Sequence, residues 1–299
     1  MKKLFLFFLL SISIHFQAQL LFQITGKNVK KPSYILGTQS LIPAKALDSI
    51  QGVYKAFNKC NLVIGNYNAY SAEAEGTLKR AAMLPLSKSI NTYFSDSDSA
   101  YKNIDNELKR VLKFGLKEVG LMHPAMIRQL YLSELFNSAV NLSDDAQTDS
   151  YFQMVASIKG IKVVGLENYT SYLNKVFDPS KIQTQALQLA NDVNNASLYK
   201  TYFKELLHYY NTSDIQKIWN LLNQIGNKIT IQEVDKSFSP EKIQRIKEFI
   251  NTNSCFIVVD VLQLNGENGI ITQLQKANYK VAAYPTQKKK NDANFRKRN

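Results

Sequence analysis

Short unbroken apolar runs bounded by Gly, Asn or Asp stand at residues 20–26 (LLFQITG), 33–38 (SYILGT), 61–68 (NLVIGNYN), 161–168 (IKVVGLEN) and 255–260 (CFIVVD). Runs this short and this rich in Val, Ile, Leu, Phe and Tyr read as strands. The first two meet at a turn around residues 26–31. After the second, Leu47, Ile50, Val53, Tyr54 and Phe57 recur at helical spacing and predict a helix over residues 45–58. Strand, helix and strand within about 35 residues make a βαβ unit, and a βαβ unit demands a parallel sheet.

From about residue 71 to 150 the spacing is mostly helical, punctuated by Ser, Asp and Asn at 95–99 and 143–149. A long helical stretch is expected over roughly 180–226, where Ile215, Ile218, Trp219, Leu222 and Ile225 make one apolar face. The next helix announces its own start, with Ser239 as N-cap, Pro240 at the first helical position and Glu241 in the first turn. Residues 255–284 then give strand, Gly-rich turn, helix and strand, a second βαβ-like unit. The pattern predicts an α/β fold with a mixed, largely parallel sheet from two βαβ-like units and a large helical insertion. No internal repeat and no Pro-, Gly- or Ser-rich linker divides it.

The two ends of the chain look different. Residues 1–19 place Lys2 and Lys3 ahead of an apolar run from Leu4 to Ile12, with small Ala18 beyond it, and read as a secretory signal peptide. No later segment approaches the length of a spanning helix, so an exported protein, periplasmic or secreted, is expected. Removing the two lysines lowers the formal net charge from +13 to about +11. Residues 285–299 form a basic tail expected to be disordered. Its cations Lys288, Lys289, Lys290, Arg296, Lys297 and Arg298 offer contact with an anionic envelope surface. Without aromatic-basic interleaving, no nucleic-acid partner is expected. The body is then residues 20–284, with 45% of the whole chain hydrophobic, enough for a sizeable core.

Candidate chemistry is sparse. Cys60 and Cys255 each open an apolar strand, and two readings stay open: a disulfide permitted by export, or two half-buried thiols. Beyond the signal only His123, before a proline, and His208, within a helical stretch, remain. Neither lies at a strand end, and no pair has metal-ligand spacing, so both read as structural or surface residues. No Gly-x-Ser-x-Gly elbow supports Ser40 as a nucleophile. Asp149, Glu167 and Asp260 leave paired carboxylates, and with them Ca²⁺ or Mg²⁺ binding, conceivable, with turn caps and ion pairs as the plainer roles. The segment GTQS, residues 37–40, ends a strand where α/β sheets hold reactive groups, yet it carries only an amide and a hydroxyl.

Taken in order, LLFQITGKNVKKPSYILGT, NLVIGN, TDSYFQMVASIKGIKVVGLEN and FIVVDVLQLNGENGIITQLQKANYKV resemble the TraB/GumN family over about residues 20–284. That resemblance implies a metal-dependent peptidase with a divalent metal. It also implies Gly-Thr-x-His at the first strand end, a glutamate ending the next strand, and Gly-x-x-His-Leu near the C-terminus. The matching positions here are Ser40, Asn66 and Gln263, the last within Asp260-Val261-Leu262-Gln263-Leu264. An Arg-Asn pair of the family falls near Lys236-Ser237. Asp149, Glu167, Gly266 and Gly269 persist. Ser, Asn and Gln bind transition metals far more weakly than imidazole or carboxylate. The expectation is therefore a relic pocket of Ser40, Asn66, Asp149, Glu167 and Gln263, no cofactor, and a non-catalytic binding or scaffold role toward an unknown protein or peptide. The rival is a divergent metal-dependent peptidase rebuilt from Asp149, Glu167 and Asp260.

Overall fold

The computed structural model describes residues 19–26, 28–85, 88–94, 98–142, 146–229 and 238–284. Nearly all of the expected signal peptide, the basic tail and Lys236-Ser237 lie outside those residues. Strands β1 (Leu21–Thr25) and β2 (Ser33–Thr38) form an antiparallel pair with Leu21 opposite Leu36. Strands β3 (Leu62–Gly65), β4 (Lys162–Gly165), β5 (Cys255–Asp260) and β6 (Lys280–Ala283) complete a six-stranded sheet of order β4-β3-β5-β2-β1-β6. The four strands β4, β3, β5 and β2 run parallel, so the mixed, mostly parallel α/β sheet matches the expectation.

Insertion of β5 between β2 and β3 is the decisive topological step. Cys255 to Asp260 is buried almost throughout because a parallel strand in mid-sheet is covered on both faces. Its Phe256 meets Phe57 and Phe152 at centroid distances of 5.5 and 4.6 Å, forming the aromatic centre of the core. Phe57 comes from helix α1 (Val53–Phe57), and Phe152 from α5 (Thr148–Ile158).

Two helical expectations need correction. The helix predicted over 45–58 is a 3₁₀ turn, Ala44–Ser49, followed by the short α1, because Gly52 adopts a left-handed φ of 79° between them. The stretch from 180 to 226 is three helices, α7 (Ile182–Asn194), α8 (Ala196–Asn211) and α9 (Ile215–Ile229), broken at Asn195 and at Ser213, whose φ is 55°. Intervening helices are α2 (Ala74–Ala81), α3 (Asp98–Leu112), α4 (Pro124–Val140) and α6 (Tyr169–Val176). The chain closes with α10 (Pro240–Thr252) and α11 (Ile270–Lys276). Ser239 Oγ accepts from the Lys242 amide at 3.3 Å, so α10 begins as its sequence predicts.

Helices α4, α7, α8 and α9 pack on one another. At their centre, Arg128 of α4 meets Asp192 of α7 with an Nε to Oδ2 distance of 2.5 Å, and Tyr199 of α8 donates to Asp192 Oδ1 at 3.1 Å. Both charged side chains are almost wholly buried, and no apolar periodicity announces them. The two cysteines are free and buried. His123 caps α4 through Nδ1, which accepts from the Ala125 amide at 3.3 Å, while His208 is exposed.

Candidate functional site

The carboxyl ends of β3, β5 and β2 lie side by side and carry the polar residues singled out from the sequence. Thr38 pairs in register with Asp260, and its hydroxyl donates to the Val259 carbonyl at 3.0 Å. Gly37 lets the Leu264 side chain pack directly against the strand, where a Cβ would force it to shift. From the helical layer, Tyr210 of α8 donates its hydroxyl to the Gly37 carbonyl at 3.1 Å. Gln39 and Thr148 lock the start of α5 onto the end of β2. The Gln39 amide donates to Thr148 Oγ1 at 3.1 Å, and the Thr148 hydroxyl donates to the Gln39 carbonyl at 2.9 Å. This anchoring carries Asp149, the next residue, to the strand ends.

Among the five expected relic positions, Asn66 and Gln263 come together directly. Asn66 Nδ2 donates to Gln263 Oε1 at 3.0 Å, joining the ends of β3 and β5. The other polar atom of that amide, Asn66 Oδ1, is buried and has no hydrogen-bond partner among the described residues. Ser40 is half-buried, with no side-chain hydrogen bond to a described residue. Glu167 stays close only through its backbone, its amide donating to the Asn66 carbonyl at 2.8 Å. Its carboxylate is drawn away to Lys175 at 2.8 Å and Lys242 at 3.6 Å.

Asp149 and Asp260 form a second pair, linked through charge. Burial pushes Asp149 up to about 6 even though the backbone amides at its helix start oppose the shift. Asp260 is pushed further, to about 7, first by burial and then by the Asp149 charge, against the Leu262 amide that donates to its Oδ1 at 2.8 Å. The Tyr67, Tyr70 and Tyr210 phenols are raised by burial first and by Asp149 in addition.

Among the described residues no group of three or more His, Cys, Asp or Glu side chains could hold a metal ion. The three-carboxylate centre of Asp149, Glu167 and Asp260 is therefore not assembled, because two lysines outcompete it for Glu167.

A model of the TraB/PrgY/gumN family matches residues 20–283. The chain belongs to that family. Comparison with curated proteins and with solved structures returned no match. Family membership gives the strand-end geometry its meaning. The strand ends expected to hold the family's reactive groups carry here the hydrogen-bonded Asn66 and Gln263. A divalent transition metal does not fit these residues: the amide NH₂ of Asn66 is a donor turned on Gln263, and the remaining neutral oxygens are weak ligands.

Several residues of the site escaped the sequence reading. Tyr210 sits inside a helical stretch and Thr148 in a polar break between helices, where Tyr and Thr are unremarkable, and only the fold brings them to Gly37 and Gln39. Buried Gln153 is another, its Oε1 accepting from the Ala69 amide at 3.2 Å. A glutamine on the buried side of α5 was the available signal.

Proposed function

We propose that this protein is an exported family member whose hydrolytic centre is degenerate, and that it acts as a non-catalytic binding or scaffold module of the cell envelope toward a protein or peptide partner. What supports this reading is the Asn66–Gln263 bond. Two side chains matched to a metal-binding acid and an imidazole are joined to each other as neutral amides. Asp149 and Asp260 supply only two carboxylates beside them, each held partly protonated near neutral pH.

Elemental analysis of the purified mature protein tests the reading. It expects no stoichiometric Zn²⁺, Co²⁺ or Mn²⁺ and no peptide cleavage; one tightly held transition metal per chain overturns it. The triple variant Ser40→His, Asn66→Glu, Gln263→His is the positive control and should acquire metal affinity. Contact of the basic tail with anionic membranes is a separate part of the proposal. It predicts vesicle binding that falls with salt and disappears when residues 288–299 are deleted.

A further inference from the structure

A second cavity, of about 230 Å³, opens between the starts of α2 and α6. Its wall includes Glu73, Thr77, Glu167, Asn168, Tyr169 and Thr170. Drug-sized pockets run to roughly 300–1,000 Å³, so the space suits a ligand about the size of one ring. Tyr169 is the aromatic part of the wall, and stacking fixes it: its ring lies 5.2 Å from that of Tyr67, which in turn stacks on Tyr172 at 4.0 Å. A pre-set aromatic ring offers contact area with little ordering cost.

Charge decides the ligand class. The Glu73 carboxylate lines the cavity and repels an anion. A cation is opposed in turn by Lys175 and Lys242, which already occupy the Glu167 carboxylate. The hydrogen-bonding groups, by contrast, come in both kinds. The Glu73 carboxylate, with no ion pair among the described residues, is an acceptor; the Asn168 amide nitrogen is a donor, since Asn168 Oδ1 is taken by the Ser171 amide at 3.0 Å; and the Thr170 hydroxyl is either. An apolar ring face edged by hydroxyls meets all three requirements.

We infer that this cavity binds a neutral sugar ring, packed on Tyr169 and hydrogen-bonded through Glu73, Asn168 and Thr170. Of the five relic positions the cavity shares only Glu167, and the proposed ligand contacts use none of them, so a failure of sugar binding leaves the Asn66–Gln263 reading standing. It gives an envelope module a means of holding glycan as well as protein.

Saturation-transfer difference NMR on the full chain, with calorimetry, provides the test. Probes are methyl β-glucopyranoside, N-acetylglucosamine and galactose, with putrescine and inorganic phosphate as charged counterparts. At least one sugar should receive saturation transfer. Tyr169→Ala and Glu73→Gln should each weaken that binding about fivefold or more, with circular dichroism unchanged. Should Tyr169→Ala fail to fold, the exposed Glu73→Gln variant decides alone. No transfer to any sugar, sugar binding unaffected by the substitutions, or preference for putrescine or phosphate overturns the inference.

Discussion

Asn66 Nδ2 and Gln263 Oε1 lie 3.0 Å apart, a single side-chain bond that ties together strand ends separated by 197 positions of sequence. It closes the space between β3 and β5 with a neutral contact. It also leaves the partner oxygen of the same amide, Asn66 Oδ1, buried and unpaired among the described residues. Such an atom carries a desolvation cost that a ligand donor would relieve.

Truncating either partner of that bond strands the other. Asn66→Ala and Gln263→Ala are each expected to lower stability by about 1–2 kcal/mol, with a coupling of about 0.5–1.5 kcal/mol in the double variant. Urea unfolding of the four proteins of the cycle measures it. Strict additivity shows that the bond contributes nothing.

The acid pair sets a pH dependence. Asp260, raised from 3.8 to about 7, and Asp149, raised to about 6, bind protons in the folded state that the unfolded chain has released. Their contribution to stability is therefore fullest near pH 4 and is lost as pH rises through 7. Asp260→Asn keeps the acceptor for the Leu262 amide and removes the charge. It should match wild type at pH 4 and exceed it by about 1–3 kcal/mol at pH 8, as read from denaturation curves across that range. Equal stability at both ends contradicts the assignment.

In the helical layer, the buried Arg128–Asp192 pair predicts a large single-site effect. Arg128→Met leaves the Asp192 charge without its partner in a dry interior and should cost about 3–5 kcal/mol. The double variant Arg128→Met, Asp192→Leu should recover most of that loss. A double variant no more stable than the single indicates that Tyr199 and the packing, rather than the charge, dominate.

Burial pushes both the Cys60 and Cys255 thiols up to about 12. Thiolate is the reactive form, so both should resist alkylation at pH 8 in the native protein and react together once denaturant is added. Intact mass after labelling distinguishes two thiols from a bridge. Rapid native labelling of either residue is the contrary outcome.

Strand identity was legible in this chain because apolar runs as short as CFIVVD suit a strand covered on both faces and are too short for a buried helix. The start of α10 was equally legible, since Ser239, Pro240 and Glu241 act through bonds within four residues of one another. Helix limits were not: apolar spacing runs straight across Gly52 and Ser213, whose positive φ values come from packing that a periodicity cannot register.

That positions 40, 66 and 263 carry a hydroxyl and two amides, all weak metal ligands, is a property of the sequence alone. Tertiary structure decided where those side chains go. It set β5 between β2 and β3, so that Gln263 meets Asn66, Asp260 feels the charge of Asp149, and Glu167 turns to Lys175 and Lys242. Residue type is written locally, whereas pairing across strands depends on the order in which distant segments enter the sheet, and no short stretch of chain records that order.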